Sequence, residues 1–246
     1  MKTFVTLLML ISVFYITSRT AQAQVRLGIQ GGLSVPDLTG GNNEISQGYT
    51  SRLAPNFGIT AEFGVTNNFS IEPQVNFDGQ GGQRNGMQPI TNFPTGTQVP
   101  PGINVYANFK NVSILNYLEI PVLAKYTWGL GGFGLEVNAG PFVGFLLNAS
   151  EKSSGTSSIY LDKNGGTPVY GPVSLDATTG VTSSIQRVNA GVAGGVGVVL
   201  PVSSRGDLSL EVRGLYGLTN VQKYAEDGTS HTGNLIVSLG YSYELL

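Results

Sequence analysis

The only histidine of the chain, His231, has an aspartate and a serine close to it in sequence, at Asp227 and Ser230. These are the residue types of a nucleophile, its general base and the group that orients the base. All three fall within one predicted loop, where no strand residue is available to fix their geometry. We therefore expect His231 to be a solvated loop residue and the protein not to be an enzyme.

The same region is a poor site for a metal ion. His231 beside Glu226 and Asp227 would be the single histidine of such a site, and one histidine makes a poor transition-metal site. The chain has no cysteine, which excludes disulfides and thiolate ligands. The loop acids Asp162 and Asp176 lack the spacing of a calcium-binding EF-hand. The sequence predicts no catalytic residue, no metal and no cofactor.

Charged residues of both signs also recur inside otherwise apolar segments, where their chemistry is that of enclosed ion pairs. An unpaired charge in a closed interior costs several kcal/mol, so these acids and bases must neutralise one another. We predict a structural charge network that plugs the lumen of a barrel. Its members are Arg26, Glu62, Glu72, Glu119, Lys125, Glu136, Arg187, Glu211 and Arg213.

The segments that carry these charges alternate apolar and polar residues, which is the period of a strand with two unlike faces. Phe69, Ile71 and Val75, for example, share one face of a segment whose other face carries Glu72 and Gln74. Eight such strands are predicted, over Val25–Val35, Leu53–Val65, Phe69–Asp78, Leu115–Trp128, Phe133–Asn148, Ile185–Leu200, Asp207–Leu218 and Gly233–Leu246.

The connections between these strands alternate long and short, as in bacterial outer-membrane barrels, where turns face the periplasm and loops the exterior. The chain opens with a positive charge, an apolar run over Phe4–Ile16 and a small-x-small cleavage site at Ala21–Ala23. Residues 1–23 are therefore predicted to be a secretory signal peptide that is removed, and residues 24–246 the barrel domain. The predicted fold is an all-β, eight-stranded antiparallel up-and-down transmembrane β-barrel.

Charge and aromatic residues indicate that the apolar face meets lipid. Charged residues are 11% of the chain, against about 25% in soluble domains, and a lipid-facing wall accounts for the deficit. The net charge of −2 argues against a nucleic-acid partner. Aromatic residues near the turn end predict an interfacial girdle of Phe63, Phe69, Tyr126, Trp128, Phe133, Tyr241 and Tyr243. A looser second set near the loop end comprises Phe57, Phe77, Phe145 and Tyr216.

Four motifs resemble a known family. They are FSIEPQV at Phe69–Val75, NYLEIPVLAKY at Asn116–Tyr126, AGPFVGFLL at Ala139–Leu147 and RGLYGLTNV at Arg213–Val221. In this order and spacing the chain resembles the outer-membrane β-barrel proteins common in Bacteroidetes, often labelled "porin family" or PorT-like. The resemblance implies an eight-stranded barrel in the cell outer membrane, in contact with its lipid and inserted by the outer-membrane assembly machinery. The PorT branch of this family contributes to secretion and gliding machinery.

Family barrels usually end in an aromatic residue that the assembly machinery reads together with the last strand. Here Tyr241 and Tyr243 keep the aromatic pattern, whereas Leu246 stands at the terminal position. We expect this departure to affect the efficiency of insertion and not the fold.

Three functions remain open from the sequence. The first is an integral barrel with a plugged lumen and a structural, adhesive or envelope-assembly role, whose partner is an envelope protein complex or an extracellular ligand bound through the loops. The second is a narrow pore for small solutes. The third is a periplasmic lipocalin-like carrier of apolar ligands, in which the apolar face would point inward. The loops Gly79–Asn111 and Ala149–Ser184 offer aromatic contacts at Phe93, Tyr106 and Tyr160.

Overall fold

The computed structural model describes residues 24–90 and 104–245. The predicted signal peptide and the loop residue Phe93 lie outside these ranges. No helix in the described ranges has the length and apolarity needed to cross a membrane.

Within these ranges the protein consists of strands and two short 3-10 turns, at Thr182–Ser184 and Ala225–Asp227. The strands are β1 (Val25–Thr39), β2 (Ala54–Gly64), β3 (Phe69–Pro89), β4 (Tyr106–Gly129), β5 (Gly134–Ser154), β6 (Thr156–Tyr160), β7 (Pro168–Ser174), β8 (Ala177–Gly180), β9 (Val188–Pro201), β10 (Gly206–Gly217) and β11 (His231–Glu244).

Eight of these strands close into a ring. Each of β1 to β4 pairs with the next strand in sequence, β5 pairs with β9, and β9, β10 and β11 lead back to β1. Every pairing is antiparallel. Closure leaves no unpaired edge in the wall, which is the condition for a β-structure to cross lipid. The predicted eight-stranded antiparallel barrel is confirmed.

The two faces of the ring differ as the alternation requires. Outward positions are apolar and exposed, as at Ile29, Val196 and Leu239, whereas inward positions such as Gln74, Asn76 and Asn189 are polar and buried. A soluble carrier would place these faces the other way round, because water would face its outer wall. The wall is therefore built for lipid outside and polar groups inside.

The ends of the barrel are unlike. Three connections, at residues 65–68, 130–133 and 202–205, are short turns, and they lie at the same end as the start of β1 and the end of β11. We call this the turn end. The longer connections lie at the opposite end, here called the loop end, as the alternating connection lengths predicted.

Two predicted loops contain strands instead. The region Gly79–Asn111 includes the upper half of a long hairpin, in which β3 pairs with β4 from Phe69–Tyr126 as far as Pro89–Tyr106. The region Ala149–Ser184 includes the end of β5 and all of β6, β7 and β8. These parts lack apolar alternation because no lipid faces them there, so the period that marks a membrane strand is absent.

The long hairpin makes one position dependent on glycine. Gly81 has a φ of +113°, which L side chains rarely adopt, and a Cβ there would clash with the carbonyl oxygen of Ser113 on β4. Any other residue at this position would therefore strain the hairpin.

One β-bulge interrupts the ring, between Asn116 and Tyr117 of β4. The apolar outward positions of β5 end beside it at Leu147, and the next outward residues are polar. The bulge thus marks where this side of the wall leaves the lipid. The prolines at 73, 121 and 141 lie within the paired strands and cause no shift of register.

Candidate functional site

The inward face of β4 shows how the lumen is layered. From the turn end it presents Lys125, Leu123, Pro121, Glu119, Tyr117 and Leu115 in turn, because every second residue points inward. Charged and apolar layers therefore alternate along the barrel axis.

The first charged layer lies at the mouth of the turn end. The Arg26 guanidinium forms an ion pair with Asp207 and donates a 2.9 Å hydrogen bond to Glu244 Oε2. Both carboxylates belong to strands that lie close to β1 in the ring, so the three groups tie the first and last strands together.

The second layer is centred on Lys125. Its Nζ lies 2.7 Å from Glu72 Oε2 and 3.1 Å from Glu62 Oε2. Glu136 Oε2 lies 3.3 Å from the same nitrogen. Three carboxylates thus share one ammonium group, which is only 11% exposed. This layer and the first line a cavity of about 200 Å³ at the turn end.

The third charged group is the buried pair of Arg213 and Glu211. Arg213 donates through Nε and Nη2 to the two carboxylate oxygens of Glu211, at 2.8 and 2.7 Å. Its Nη1 donates to Gln74 Oε1 at 2.7 Å, and Asn138 donates to Glu211 Oε1 at 2.7 Å. The bidentate geometry uses the planar fork of arginine, which lysine cannot reproduce.

A fourth layer holds two buried acids without a basic partner within 4 Å in the described part of the chain. Asp78 accepts hydrogen bonds from the amides of Asn56, Asn234 and Gln80. The same Gln80 nitrogen donates to Glu119 Oε2 at 3.1 Å. Amide donors thus take the place of cations in this layer.

Two apolar clusters separate or cover these layers. One is inside the ring and contains Leu123, Phe142, Ala193, Leu215 and Ile236. The other lies nearer the loop end and contains Leu38, Leu115, Tyr117, Leu146, Ala149, Ile185 and Val221. Side chains from both strands and loops build the second cluster, so the loops close onto the lumen at that level.

Of the nine residues predicted for the charge network, the structure brings seven into ion pairs. Glu119 lies in the lumen beside an amide, not a cation. Arg187 corrects the prediction, because its side chain is exposed and outside the lumen. The predicted strand began at Ile185, whereas β9 begins at Val188, so the alternation could not place Arg187 on the inward face.

Sequence reasoning missed three members of the lumen. Asp78 and Asp207 lie at the ends of predicted strands. Glu244 was not included in the predicted network, although it pairs with Arg26. Each follows the two-residue period of its strand, since Asp78 continues the inward face of Glu72 and Asp207 that of Glu211. All three lie within the predicted strands, so following the two-residue period to the ends of those strands would have found them.

The predicted girdle residues lie at the turn end of the outer wall. All are exposed except Phe69, which is half-buried; the exposed members are Phe63, Tyr126, Trp128, Phe133, Tyr241 and Tyr243. The rings of Tyr126 and Trp128 lie 4.7 Å apart between centroids. At the loop end, Phe57 and Phe77 stack at 4.9 Å.

The serine, histidine and aspartate considered for catalysis form no hydrogen-bonded triad. Ser230 is fully buried, whereas the adjacent His231 stacks against the exposed ring of Tyr216 at 6.2 Å between centroids. His231 Nδ1 faces the carbonyl oxygen of Gly217 at 3.2 Å. His231 is the first residue of β11 and not the solvated loop residue that was predicted, whereas Ser230 precedes that strand. No group of three or more possible metal ligands occurs in the described ranges.

The closed antiparallel ring, the apolar outer wall and the polar interior define a transmembrane β-barrel of the bacterial outer-membrane type. Its outer wall contacts lipid. A family model described as "Outer membrane protein beta-barrel domain" matches residues 20–223, and the chain belongs to that family.

Comparison with curated proteins gave no match. Among solved structures, the chain is similar to the Neisserial surface protein NspA, at 14% identity and a TM-score of 0.43, over 89% of this chain and 97% of that one. It is similar to the outer-membrane protease OmpT of Escherichia coli, at 12% identity and a TM-score of 0.47, over 92% and 99%. It is also similar to Ail, the attachment invasion locus protein of Yersinia pestis, at 11% identity and a TM-score of 0.35, over 91% of this chain and 100% of that one.

Proposed function

We propose that this protein is a closed outer-membrane barrel that conducts no solute and acts through the β-structure at its loop end, in an adhesive, structural or envelope-assembly role. The observation that carries the proposal is the layering of the lumen, where ion-paired layers alternate with two apolar clusters. An eight-stranded barrel has room only for its own side chains, so two such clusters leave no continuous water path.

Single-channel recording in planar bilayers tests this proposal. The refolded barrel should give no conductance steps, and a shift in mobility between unboiled and boiled samples on SDS gels verifies that it is folded. The control is a variant with Leu115, Tyr117, Leu123 and Phe142 all replaced by alanine, which removes both apolar closures and should conduct. Steady conductance by the unaltered, folded barrel would contradict the closed lumen.

The excess of acids in the lumen favours one alternative, a narrow pore for cations. Asp78 and Glu119 lie in the lumen without a basic partner within 4 Å in the described ranges, and acidic side chains of this kind line cation-selective pores. In the same recordings, conductance that is selective for cations and lost in the Asp78→Asn variant would support this pore. The lipocalin-like carrier has no such support, because the apolar face points outward.

Affiliation to the PorT-like barrels of Bacteroidetes, and with it a place in an envelope complex, belongs to the proposal as well. Its support is the four motifs, which fall on β3, β4, β5 and β10 and carry lumen residues such as Glu72, Glu119 and Arg213. Export through a cleaved signal peptide is testable separately. N-terminal sequencing of the protein from the membrane fraction should begin at Gln24.

A further inference from the structure

At the loop end the wall encloses a cavity that the lumen network does not include. Two adjoining spaces, of about 190 and 170 Å³, share Ile45, Tyr49 and Glu151 in their lining. Their walls are the connection between β1 and β2, the ends of β4 and β5, and β8. A benzene molecule fits an engineered cavity of about 150 Å³, so each space suits a ligand of six to ten or so heavy atoms.

Glu151 is the charged group common to both spaces. It lies on the inward face of β5 beyond Leu147, and so above the apolar band. No lysine, arginine or histidine nitrogen lies within 4 Å of its carboxylate in the residues described. Burial raises the pKa of Glu151 and outweighs the Arg84 charge and the Asn111 amide, which lower it. A carboxylate in this setting gains from a cationic partner.

Arg84 also lines the cavity, but its Nε and Nη1 donors are already in use. Its Nε donates to Gln88 Oε1 at 2.7 Å, and its Nη1 donates to the backbone carbonyls of Glu44 and Gln47, each at 2.8 Å. Its guanidinium lies 5.3 Å from the centre of the Tyr49 ring. Arg84 therefore holds the β1–β2 connection in place and does not pair with the cavity acid.

A second, independent feature of the cavity points to a ligand. Asn111 is only 8% exposed, lines the larger space, and its Oδ1 has no hydrogen-bond partner. A buried carbonyl oxygen without a donor costs about 1–3 kcal/mol, and a ligand donor would remove that cost. Asn111 pairs with Ser153 on β5, two positions from Glu151, so the amide and the carboxylate face the same space.

One wall of the larger space is apolar. Ile90, Phe109 and Leu175 line it and belong to a compact cluster at this end of the wall. Asp176, the other acid there, already accepts bonds from Gly155 N and Ser174 Oγ, at 2.9 and 3.1 Å. The larger space therefore offers one carboxylate without a basic partner, one carbonyl oxygen without a donor, and an apolar wall.

We propose that this cavity binds a small organic amine, whose ammonium group donates to the Glu151 carboxylate and Asn111 Oδ1 while its apolar part packs against Ile90, Phe109 and Leu175. An ammonium supplies several donors and a positive charge, and a hydrogen bond between charged groups is about twice as strong as a neutral one. The site rests on the proposed binding role of the loop end, and not on whether the lumen is closed.

Isothermal titration of the refolded, full-length barrel with phenethylamine tests the site. We expect binding of one molecule per chain. 2-Phenylethanol and phenylacetate, which keep the ring but lack the ammonium, should bind at least tenfold more weakly. The Glu151→Gln variant should lose at least tenfold in affinity, which corresponds to about 1.4 kcal/mol, and Asn111→Leu should lose severalfold.

The matched control is Glu226→Gln. Glu226 is an exposed acid beside Asp227, which lines the smaller space, and its removal changes the net charge by the same amount. This variant should bind as the unaltered protein does. No binding of phenethylamine by protein that shows the SDS-gel shift would overturn the site, as would an equal loss in Glu151→Gln and Glu226→Gln. Conductance measured on the same preparation tests the closed lumen independently. A failure of the amine site can therefore be distinguished from a failure of the closed-lumen proposal.

Discussion

Replacing Arg213 with leucine should destabilise the barrel strongly, because it leaves a buried carboxylate without its partner. Arg213 gives two hydrogen bonds to Glu211 and one to Gln74, and the arginine side chain is 5% exposed. Breaking a buried pair from one side costs about 3–5 kcal/mol. We expect Arg213→Leu to lower the free energy of unfolding by that amount.

A double-mutant cycle separates the ion pair from the packing of the side chains. Glu211→Leu alone should also lower the free energy of unfolding, since it leaves the buried Arg213 guanidinium without its carboxylate partner. The double variant should recover much of the loss, because two apolar side chains of similar volume can replace a buried pair at little or no cost. The coupling between the two positions is then the measured quantity.

Urea unfolding in lipid vesicles, followed by tryptophan fluorescence, provides the assay. Trp128 is the only tryptophan of the chain and lies exposed on the outer wall at the turn end, so its emission reports on the lipid environment. A loss below about 1 kcal/mol for Arg213→Leu would refute a network that holds the lumen together. A double variant less stable than both single variants would refute the ion pair as the cause.

Three further outcomes follow from the structure. Lys125→Met should cost more stability than Arg26→Met in the same unfolding assay, since Lys125 neutralises three carboxylates and is less exposed, at 11% against 29%. Gly81→Ala should lower the free energy of unfolding by at least about 1 kcal/mol, because of the positive φ at this position and the clash with Ser113. A urea midpoint equal to that of the unaltered protein would contradict this. Backbone N–H donors hold the pKa of Asp162 below its ordinary value, so their protection from hydrogen exchange should be full above about pH 4 and fall as the pH drops through the lowered pKa. Protection in this turn that is unchanged between pH 6 and pH 2.5 would contradict that role for Asp162.

The sequence predicted the barrel where lipid imposes a pattern, and failed where it does not. In β9 and β10 one face meets lipid and the other meets the lumen, so alternation alone identified the strands. The upper halves of β3 and β4 have no lipid on either side, and their glycine- and glutamine-rich sequence looked like a loop. Their pairing rests on backbone hydrogen bonds, which leave no periodic trace in side-chain hydropathy.

The sequence predicted that charged residues fill the lumen, but it predicted only some of the residues that pair there. Alternation places a charged residue on the inward face, but the shear of the barrel decides which charged residues lie at the same height along its axis. Lys125 therefore meets Glu136 from the next strand and Glu62 from two strands away. The amine cavity was beyond the sequence, because Tyr49, Asn111 and Glu151 come from segments that only the folded loop end brings together.

The length of β4 has a consequence for what the cell presents to its surroundings. Its 24 residues, at about 3.3 Å each and tilted by about 40°, span roughly 60 Å along the barrel axis. The apolar band of such barrels is about 25 Å tall, so the wall stands about 35 Å clear of the lipid. An approaching macromolecule therefore meets the tip formed by β6 and β7, where Val169 and Tyr170 are exposed, well before it meets the membrane.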